Sequence, residues 1–350
     1  MEALKDKPEP LQKSVETTKE SASASRFVAL GIPMKTSGLI PNSRKGDLIL
    51  ENLVLWAALA VIIMTVAFAG YYYWDRYIHI GDQSPLERGV GSLEEAVRTN
   101  PQDPEARLAL AQYYLDNGAY GEAASQAQQV LRAFPNNEGA LFVQGISRFH
   151  SGEIETAVPP LTQFIEIRRQ SPMAGTDTAL ETALYFLGAS HNSLNQPALA
   201  IPALTEALTI NSTDADAMYQ LGLAYAQDGQ HAAAIEQYQN AIRFVPDFVE
   251  VYENMTTSFE ALGQPEQANY ARGMVAFSSH DFVKAQGYLE SVTAVQPDFA
   301  PAFLGLGLVY EKLGDLPAAQ TSLQRALELD PESFLANHSL GRVQQSLSGQ

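Results

Sequence analysis

The chain has 350 residues, 46% of them hydrophobic, and it carries 40 acidic against 22 basic side chains. This excess of negative charge argues against nucleic acid as a partner. Because the chain has no cysteine, disulfides, thiolate nucleophiles and zinc–thiolate sites are excluded. Glycine and proline recur throughout, which favours many short elements over one compact globule.

Residues 1–46 form the first segment, which is rich in Ser, Thr, Lys and Glu and has little apolar periodicity. Such a segment buries too little apolar surface to offset the loss of chain entropy on folding. We expect a disordered tail. The first 51 residues hold 8 basic and 7 acidic side chains, so the negative charge of the protein lies downstream of them.

An apolar stretch follows within residues 50–76. Its core at residues 53–73, LVLWAALAVIIMTVAFAGYYY, has no charged residue, and about 20 apolar residues can cross a bilayer as a helix. Trp56 lies near one end and Tyr71 to Trp74 crowd the other, where aromatic rings suit the headgroup layer. We predict one transmembrane helix that anchors the chain in a lipid bilayer. A cleaved signal peptide is disfavoured because the stretch is too long and begins too far along the chain.

Beyond residue 84 the sequence repeats itself. One copy of the pattern runs through Met218, Leu221, Gly222, Tyr225, Gly229, Ala234, Tyr238, Ala241 and Pro246, and another through Phe303, Leu306, Gly307, Tyr310, Gly314, Ala319, Leu323, Ala326 and Pro331. Leu and Tyr at these spacings make the apolar stripe of a first helix, a small residue lets a second helix approach, and a glycine permits the tight turn between them. We expect stacked helix pairs whose stability comes from their neighbours.

This pattern resembles the tetratricopeptide repeat. The first repeat positions fall at Pro104, Glu138, Glu181, Ala215, Val249, Glu266, Ala300 and Phe334, and most steps equal the 34-residue period of that family. The resemblance implies an all-α superhelical solenoid over residues 85–346, with about seven to eight helix pairs, preceded by the transmembrane helix.

Two steps depart from the period. The step of 43 residues predicts a protruding loop at Ser171 to Ala179. The step of 17 residues is half a repeat, in which residues 265–278 follow one first helix as its partner and yet carry a first-helix glycine, Gly273. Either the superhelix changes its path there, or a subdomain boundary lies near residues 263–266.

The resemblance also implies a binding surface, because first helices line the concave face in this family. The side chains expected there are Leu108, Phe142, Ile146, Phe149, Tyr185, Tyr219, Leu223, Tyr270, Met274, Phe277, Leu304 and Leu308. We call these twelve residues the apolar strip. Acids such as Asp216 and Glu253 flank it, so it suits a protein segment with apolar side chains and some positive charge. The alternative is that many of these residues only pack adjacent helices together.

The sequence contains no nucleotide-binding or nucleophile motif, and its six histidines never fall at the spacing of a helical metal site. We therefore expect no catalytic, cofactor-binding or metal-binding residues and no small-molecule substrate, so the protein is not expected to be an enzyme.

The expected function is that of a membrane-anchored, chaperone-like scaffold or adaptor that binds protein segments. The alternative is a structural subunit of a membrane complex, for translocation, envelope assembly or cytochrome maturation, that also uses its transmembrane helix. The layout is similar to that of bacterial inner-membrane proteins with one span and extracytoplasmic repeats. The basic residues of the tail favour a cytoplasmic N-terminus.

Overall fold

The computed structural model describes residues 44–73 and 85–349, and their regular structure is helical throughout. Contacts divide the chain into two compact units, Met1–Gly81 and Asp82–Gln350. In chain order the helices are α1 (Arg44–Tyr73), α2 (Pro85–Thr99), α3 (Pro104–Asp116), α4 (Tyr120–Ala133), α5 (Glu138–His150), α6 (Ile154–Arg168), α7 (Thr178–Ser193), α8 (Pro197–Ile210), α9 (Ala215–Gln227), α10 (His231–Phe244), α11 (Val249–Ala261), α12 (Pro265–Ser278), α13 (Phe282–Val295), α14 (Ala300–Leu313), α15 (Leu316–Leu329) and α16 (Phe334–Ser348).

Helix α1 belongs to the first unit and contains the predicted span. Every side chain described in it, at residues 56–72, is exposed. Within the described parts of the chain, however, no helix is both long and apolar enough to cross a membrane. The structure therefore confirms a helix at residues 53–73 and does not support the transmembrane prediction, and charged residues occupy the first two turns of α1. The predicted disordered tail lies outside the described residues up to position 43, and its last three residues begin α1.

The second unit is the predicted all-α array of helix pairs, in which consecutive helices from α2 to α16 pack against each other. The first helices α3, α5, α7 and α9 also touch one another in order, so they form the more closely spaced, inner layer. Side chains of Asp103, Asn137, Asp177, Asp214 and Ser333 accept hydrogen bonds from backbone N–H groups at the starts of α3, α5, α7, α9 and α16. These caps satisfy donors that would otherwise be orphaned and so fix where these five helices begin.

In five helix pairs a glycine of the first helix packs against a large apolar residue of the second helix. A Cβ atom at Gly222 would lie 2.3 Å from the Tyr238 ring, and one at Gly307 would lie 2.5 Å from Cγ of Leu323. The same close approach joins Gly145 to Leu161, Gly188 to Leu204 and Gly273 to Leu289. In each pair the large residue follows the glycine by 16 positions. The prediction that the first-helix glycines admit the second helix is confirmed.

The turns from first to second helices have a shared backbone conformation. Each turn contains one left-handed residue, and these are Gly118, Gly152, Asn195, Gly229, Gly263, His280 and Gly314. Glycine adopts this conformation without steric cost. Two such turns occur in succession, one before α12 at Gly263 and one after it at His280. Helix α12 is thus entered as a second helix and left as a first helix.

The packing around α12 agrees with these turns. This helix packs along both α11 and α13, and it also touches α14 as one first helix touches the next. The role of first helix therefore passes from the odd-numbered helices, ending at α11, to α12, α14 and α16. The half repeat expected from the 17-residue step is present, and residues 82–350 nevertheless form one compact unit. At the 43-residue step, a short 3-10 turn at Ala174–Thr176 precedes α7.

Candidate functional site

The apolar strip lies on the helices expected for it, but its members differ in exposure. Ile146, Tyr270 and Met274 are buried in the hydrophobic core, at 6%, 7% and 5% exposure. Leu108, Phe142, Phe149, Tyr185, Tyr219, Leu223, Phe277, Leu304 and Leu308 are half-buried. The strip is thus divided between helix packing and accessible surface, and its role in binding stays a prediction.

Tyr270 illustrates the packing role. Its ring meets the rings of Tyr252, at a centroid distance of 6.2 Å, and Phe299, at 5.3 Å. Burial raises the pKa of Tyr270 to about 12. Because this side chain sits among α11, α12 and the start of α14, replacing it would disturb the fold as well as any bound segment.

Tyr185 on α7 and Tyr219 on α9 are the strip residues that face carboxylates. Burial raises the pKa of Tyr185 to about 12, with further contributions from the charges of Asp216 and Asp214. Burial also raises the pKa of Tyr219, helped by the charges of Glu250 and Glu253 on α11. The two phenols therefore keep their protons at any physiological pH and remain hydrogen-bond donors.

The position of Tyr219 is fixed by its neighbours. Its ring lies 5.0 Å from that of Phe248, and its hydroxyl oxygen accepts a hydrogen bond of 3.3 Å from Nδ2 of Asn254. The hydroxyl proton of Tyr219 is left to point towards the carboxylates or towards a ligand. A rigid aromatic anchor of this kind loses little conformational entropy on binding.

A pair of carboxyl groups lies below this surface. Glu181, at the start of α7, is only 8% exposed. Burial, a hydrogen bond with Asp214 and the negative charge of Asp214 together raise the pKa of Glu181 to about 7. Asp214 is also the N-cap of α9, where it accepts a 3.0 Å hydrogen bond from the N–H of Ala217. Glu181 therefore keeps its proton to a higher pH than an exposed glutamic acid does.

We define the acid–tyrosine face as Tyr185, Asp216, Tyr219, Glu250 and Glu253. Burial, with the charges of Asp214 and Glu250, raises the pKa of Asp216. None of the three carboxylates forms an ion pair with a described residue. Unpaired acids beside half-buried aromatic rings provide a site where a cation is attracted electrostatically and its aliphatic stem can pack.

Sequence reasoning placed Tyr185, Tyr219, Asp216 and Glu253 on this side of the array but missed Glu181, Asp214 and Glu250. The repeat register held a usable signal for Glu250. It follows Asp216 by 34 residues, as Tyr219 follows Tyr185, so equivalent positions on α9 and α11 both carry acids. Nothing in the spacing predicts the Glu181–Asp214 pair, since Asp214 precedes its helix. Among the described residues, no group of three His, Asp or Glu side chains is placed to hold a metal ion.

Family models of the tetratricopeptide repeat match much of this chain. One, described as "Tetratricopeptide repeat", matches residues 82–138, 108–172 and 270–343. A second, described as "TPR repeat", matches residues 224–263. Together they cover both sides of the half repeat.

Relatives with known names share low identity with the chain. It is 27% identical over 282 residues to cellulose synthase 1 operon protein C of Komagataeibacter xylinus, a match covering 75% of this chain and 20% of the relative. It is 24% identical over 270 residues to the TPR repeat-containing protein YpiA of Bacillus subtilis, covering 77% of this chain and 57% of the relative. The chain thus spans less than two thirds of the length of either relative.

Two of the similar solved structures are MamA and YrrB. The MamA crystal structure aligns with 52% of this chain and 94% of its own, at 26% identity and a TM-score of 0.45. YrrB, described as a TPR protein with an unusual peptide-binding site, aligns with 71% of this chain and 98% of its own, at 16% identity and a TM-score of 0.43.

Proposed function

The chain belongs to the tetratricopeptide-repeat family, and we propose that it is a membrane-anchored scaffold that binds segments of other proteins through the inner layer of its repeats. Its role is binding and not catalysis, in the manner of an adaptor or a chaperone. The segment it binds carries apolar side chains together with Lys or Arg.

The observation that carries this proposal is the acid–tyrosine face. Three neighbouring inner helices present two half-buried tyrosines beside three unpaired carboxylates. Aromatic anchors are common energetic centres of protein interfaces, and an unpaired acid beside them selects for a basic partner group. Ile146, Tyr270 and Met274 are instead part of the packed core that supports this face.

Photo-crosslinking in native membranes tests the binding role. A photoreactive amino acid replaces Asp216 in one variant and Glu236, an exposed acid on the second helix α10, in a matched control. We expect defined crosslinked partners from position 216 that decrease when Tyr219→Ala is added, because truncating an aromatic anchor weakens binding by about 1 kcal/mol or more. Equal crosslinking from position 236, or no effect of Tyr219→Ala, contradicts the proposal. Turnover of any small molecule by the purified protein would contradict the non-enzymatic role.

The membrane anchor is a separate part of the proposal, assigned to residues 53–73. It is supported by the large apolar side chains of α1 that are exposed, among them Trp56, Met64 and Phe68 at 70%, 64% and 71%. Apolar surface of this extent is unfavourable in water. The full chain should stay in the membrane pellet after alkaline carbonate extraction, whereas a chain lacking residues 1–76 should appear in the supernatant. Release of the full chain by carbonate argues against the anchor.

The orientation follows from the basic residues of the tail, which favour a cytoplasmic N-terminus and extracytoplasmic repeats. In a bacterial host, protease added to intact spheroplasts should digest residues 85–350. Protection of these residues until the membrane is lysed reverses the proposed topology.

The exposed apolar side chains of α1 also favour a second candidate function. A structural subunit of a membrane complex would use them to contact partner helices within the bilayer. Replacing residues 50–76 with an unrelated membrane anchor separates the two functions. A scaffold keeps the partners that crosslink at position 216, whereas a complex subunit loses them.

A further inference from the structure

The pair formed by α11 and α12 differs from the five pairs in which a first-helix glycine packs against Leu or Tyr. Thr256 occupies the position of that glycine, and the residue 16 positions later is the charged Arg272. The guanidinium group of Arg272 forms an ion pair with Glu260 and donates a 2.8 Å hydrogen bond to Oδ1 of Asn269. No large apolar side chain from α12 therefore fills the space beside Thr256.

A cavity of about 330 Å³ occupies this place. Helices α11 and α13 form its walls and α12 its floor, where Val275 and Ala276 supply apolar surface. We name it the α12 cleft. An apolar cavity of about 150 Å³ is large enough to hold benzene, so this one can take a large apolar side chain. Helix α12 packs along both α11 and α13, so the three helices meet at the cleft.

Four charged side chains line the α12 cleft, and two of them are already engaged. Arg272 is paired with Glu260, and Asp281 caps α13 by accepting a 3.2 Å hydrogen bond from the N–H of Lys284. The other two are Glu253 on the α11 wall and the Lys284 side chain on the α13 wall. Both are exposed, and neither forms an ion pair within the described part of the chain. The cleft thus offers an acid on one side and a base on the other.

We propose that the α12 cleft binds an apolar side chain of a partner polypeptide whose neighbouring residues place a basic group beside Glu253 and an acidic group beside Lys284. The inference rests on the proposed function and deepens it, because Glu253 belongs both to the α12 cleft and to the acid–tyrosine face. The basic part of the bound segment lies over α9 and α11, and its acidic part reaches α13. This charge order excludes a uniformly basic segment.

Selection from a random peptide library displayed on phage tests the proposal, with the full-length protein in detergent as bait. The wild-type protein should enrich peptides in which a large apolar residue separates a basic residue from an acidic one. Ser279→Trp places an indole at the rim of the cleft, on an exposed residue, and should weaken the selected peptides at least about tenfold, as expected when an anchor loses its pocket. Glu253→Gln should remove the preference for the basic residue, and Lys284→Gln the preference for the acidic one.

Matched controls are Glu236→Gln and Lys312→Gln, which neutralise exposed charges outside the cleft and should leave the selected sequences unchanged. Circular dichroism checks that Ser279→Trp is folded, and if it is not, the two charge variants decide the test. Selection of uniformly basic peptides, or peptides bound equally by the cleft variants and wild type, overturns the inference. If those peptides still depend on Tyr219 and Asp216, the proposed function survives this failure. If the wild-type protein selects no peptides, both fail.

Discussion

Two helix pairs of the same array, α14–α15 and α11–α12, carry different residues at equivalent positions and therefore pack differently. In α14–α15, Gly307 receives Leu323, which is fully buried. In α11–α12, Thr256 and Arg272 stand at those positions and leave the α12 cleft open. The comparison teaches that a glycine and a large apolar residue at these positions close a helix pair. Where Thr256 and Arg272 replace them, the same backbone plan leaves a cleft.

The largest expected effect on stability comes from adding a side chain at Gly307, where α14 and α15 pack most closely. Gly307→Val places its side chain against Leu323, so we expect a loss of about 2 to 3 kcal/mol in the free energy of unfolding, as for other overpacked cores. Gly341→Val is the matched control, since a Cβ atom there meets nothing within 4 Å. Denaturant unfolding of both variants provides the measurement. Similar stabilities for the two would show that the glycine pairs do not hold the helices together.

The next effect concerns the close packing of α7 and α9, which buries Glu181. Its pKa of about 7 lies above its ordinary 4.5, so between these pH values the folded state holds a proton that the unfolded state has released. The free energy of unfolding should therefore fall as the pH rises from about 4.5 to about 7. Glu181→Gln should remove most of this fall when unfolding is measured at pH 5 and pH 8, whereas Glu236→Gln should retain it. A pH profile identical in wild type and Glu181→Gln contradicts the burial of a proton there.

We expect Arg272→Leu to fill the α12 cleft. The ion pair with Glu260 is partly exposed, with side-chain exposures of 36% and 51%, so its loss costs little. A leucine there would bury apolar surface beside Thr256, and we expect the free energy of unfolding to rise by about 1 kcal/mol. Chemical denaturation checks this, with Arg98→Leu on α2 as the control, because Arg98 also forms an exposed ion pair. A loss of stability in Arg272→Leu would mean that the cleft does not have room for the new side chain.

The smallest expected effect on stability concerns the turns that follow α12 and α14. His280, after α12, has a φ of 62°, whereas Gly314, after α14, has a φ of 82°. A non-glycine residue in this region costs about 1 kcal/mol, so His280→Gly should raise the midpoint of thermal unfolding slightly and Gly314→Ala should lower it. Equal midpoints for wild type and both variants would show that these turns carry no backbone strain.

Much of the second unit follows from the sequence because its main contacts join residues at fixed separations. Gly222 meets Tyr238 within one helix pair, and the half repeat is visible as a 17-residue step. Periodicity alone could not say which members of the apolar strip are accessible. Met274 and Leu308 have equivalent register positions, and yet Met274 is buried while Leu308 is half-buried. The difference depends on the local spacing between helices, which the repeat pattern does not encode.

The sequence by itself determined the all-α architecture, the pairing of the helices and the place where the period breaks, because each depends on side chains within one or two repeats of each other. Only the tertiary structure decided that Glu181 is buried beside Asp214, that Tyr270 belongs to the core and that a cleft opens along α12. These features depend on how closely and at what angle neighbouring helices approach. That approach is set by the combined packing of several side chains, and no single spacing in the sequence records it.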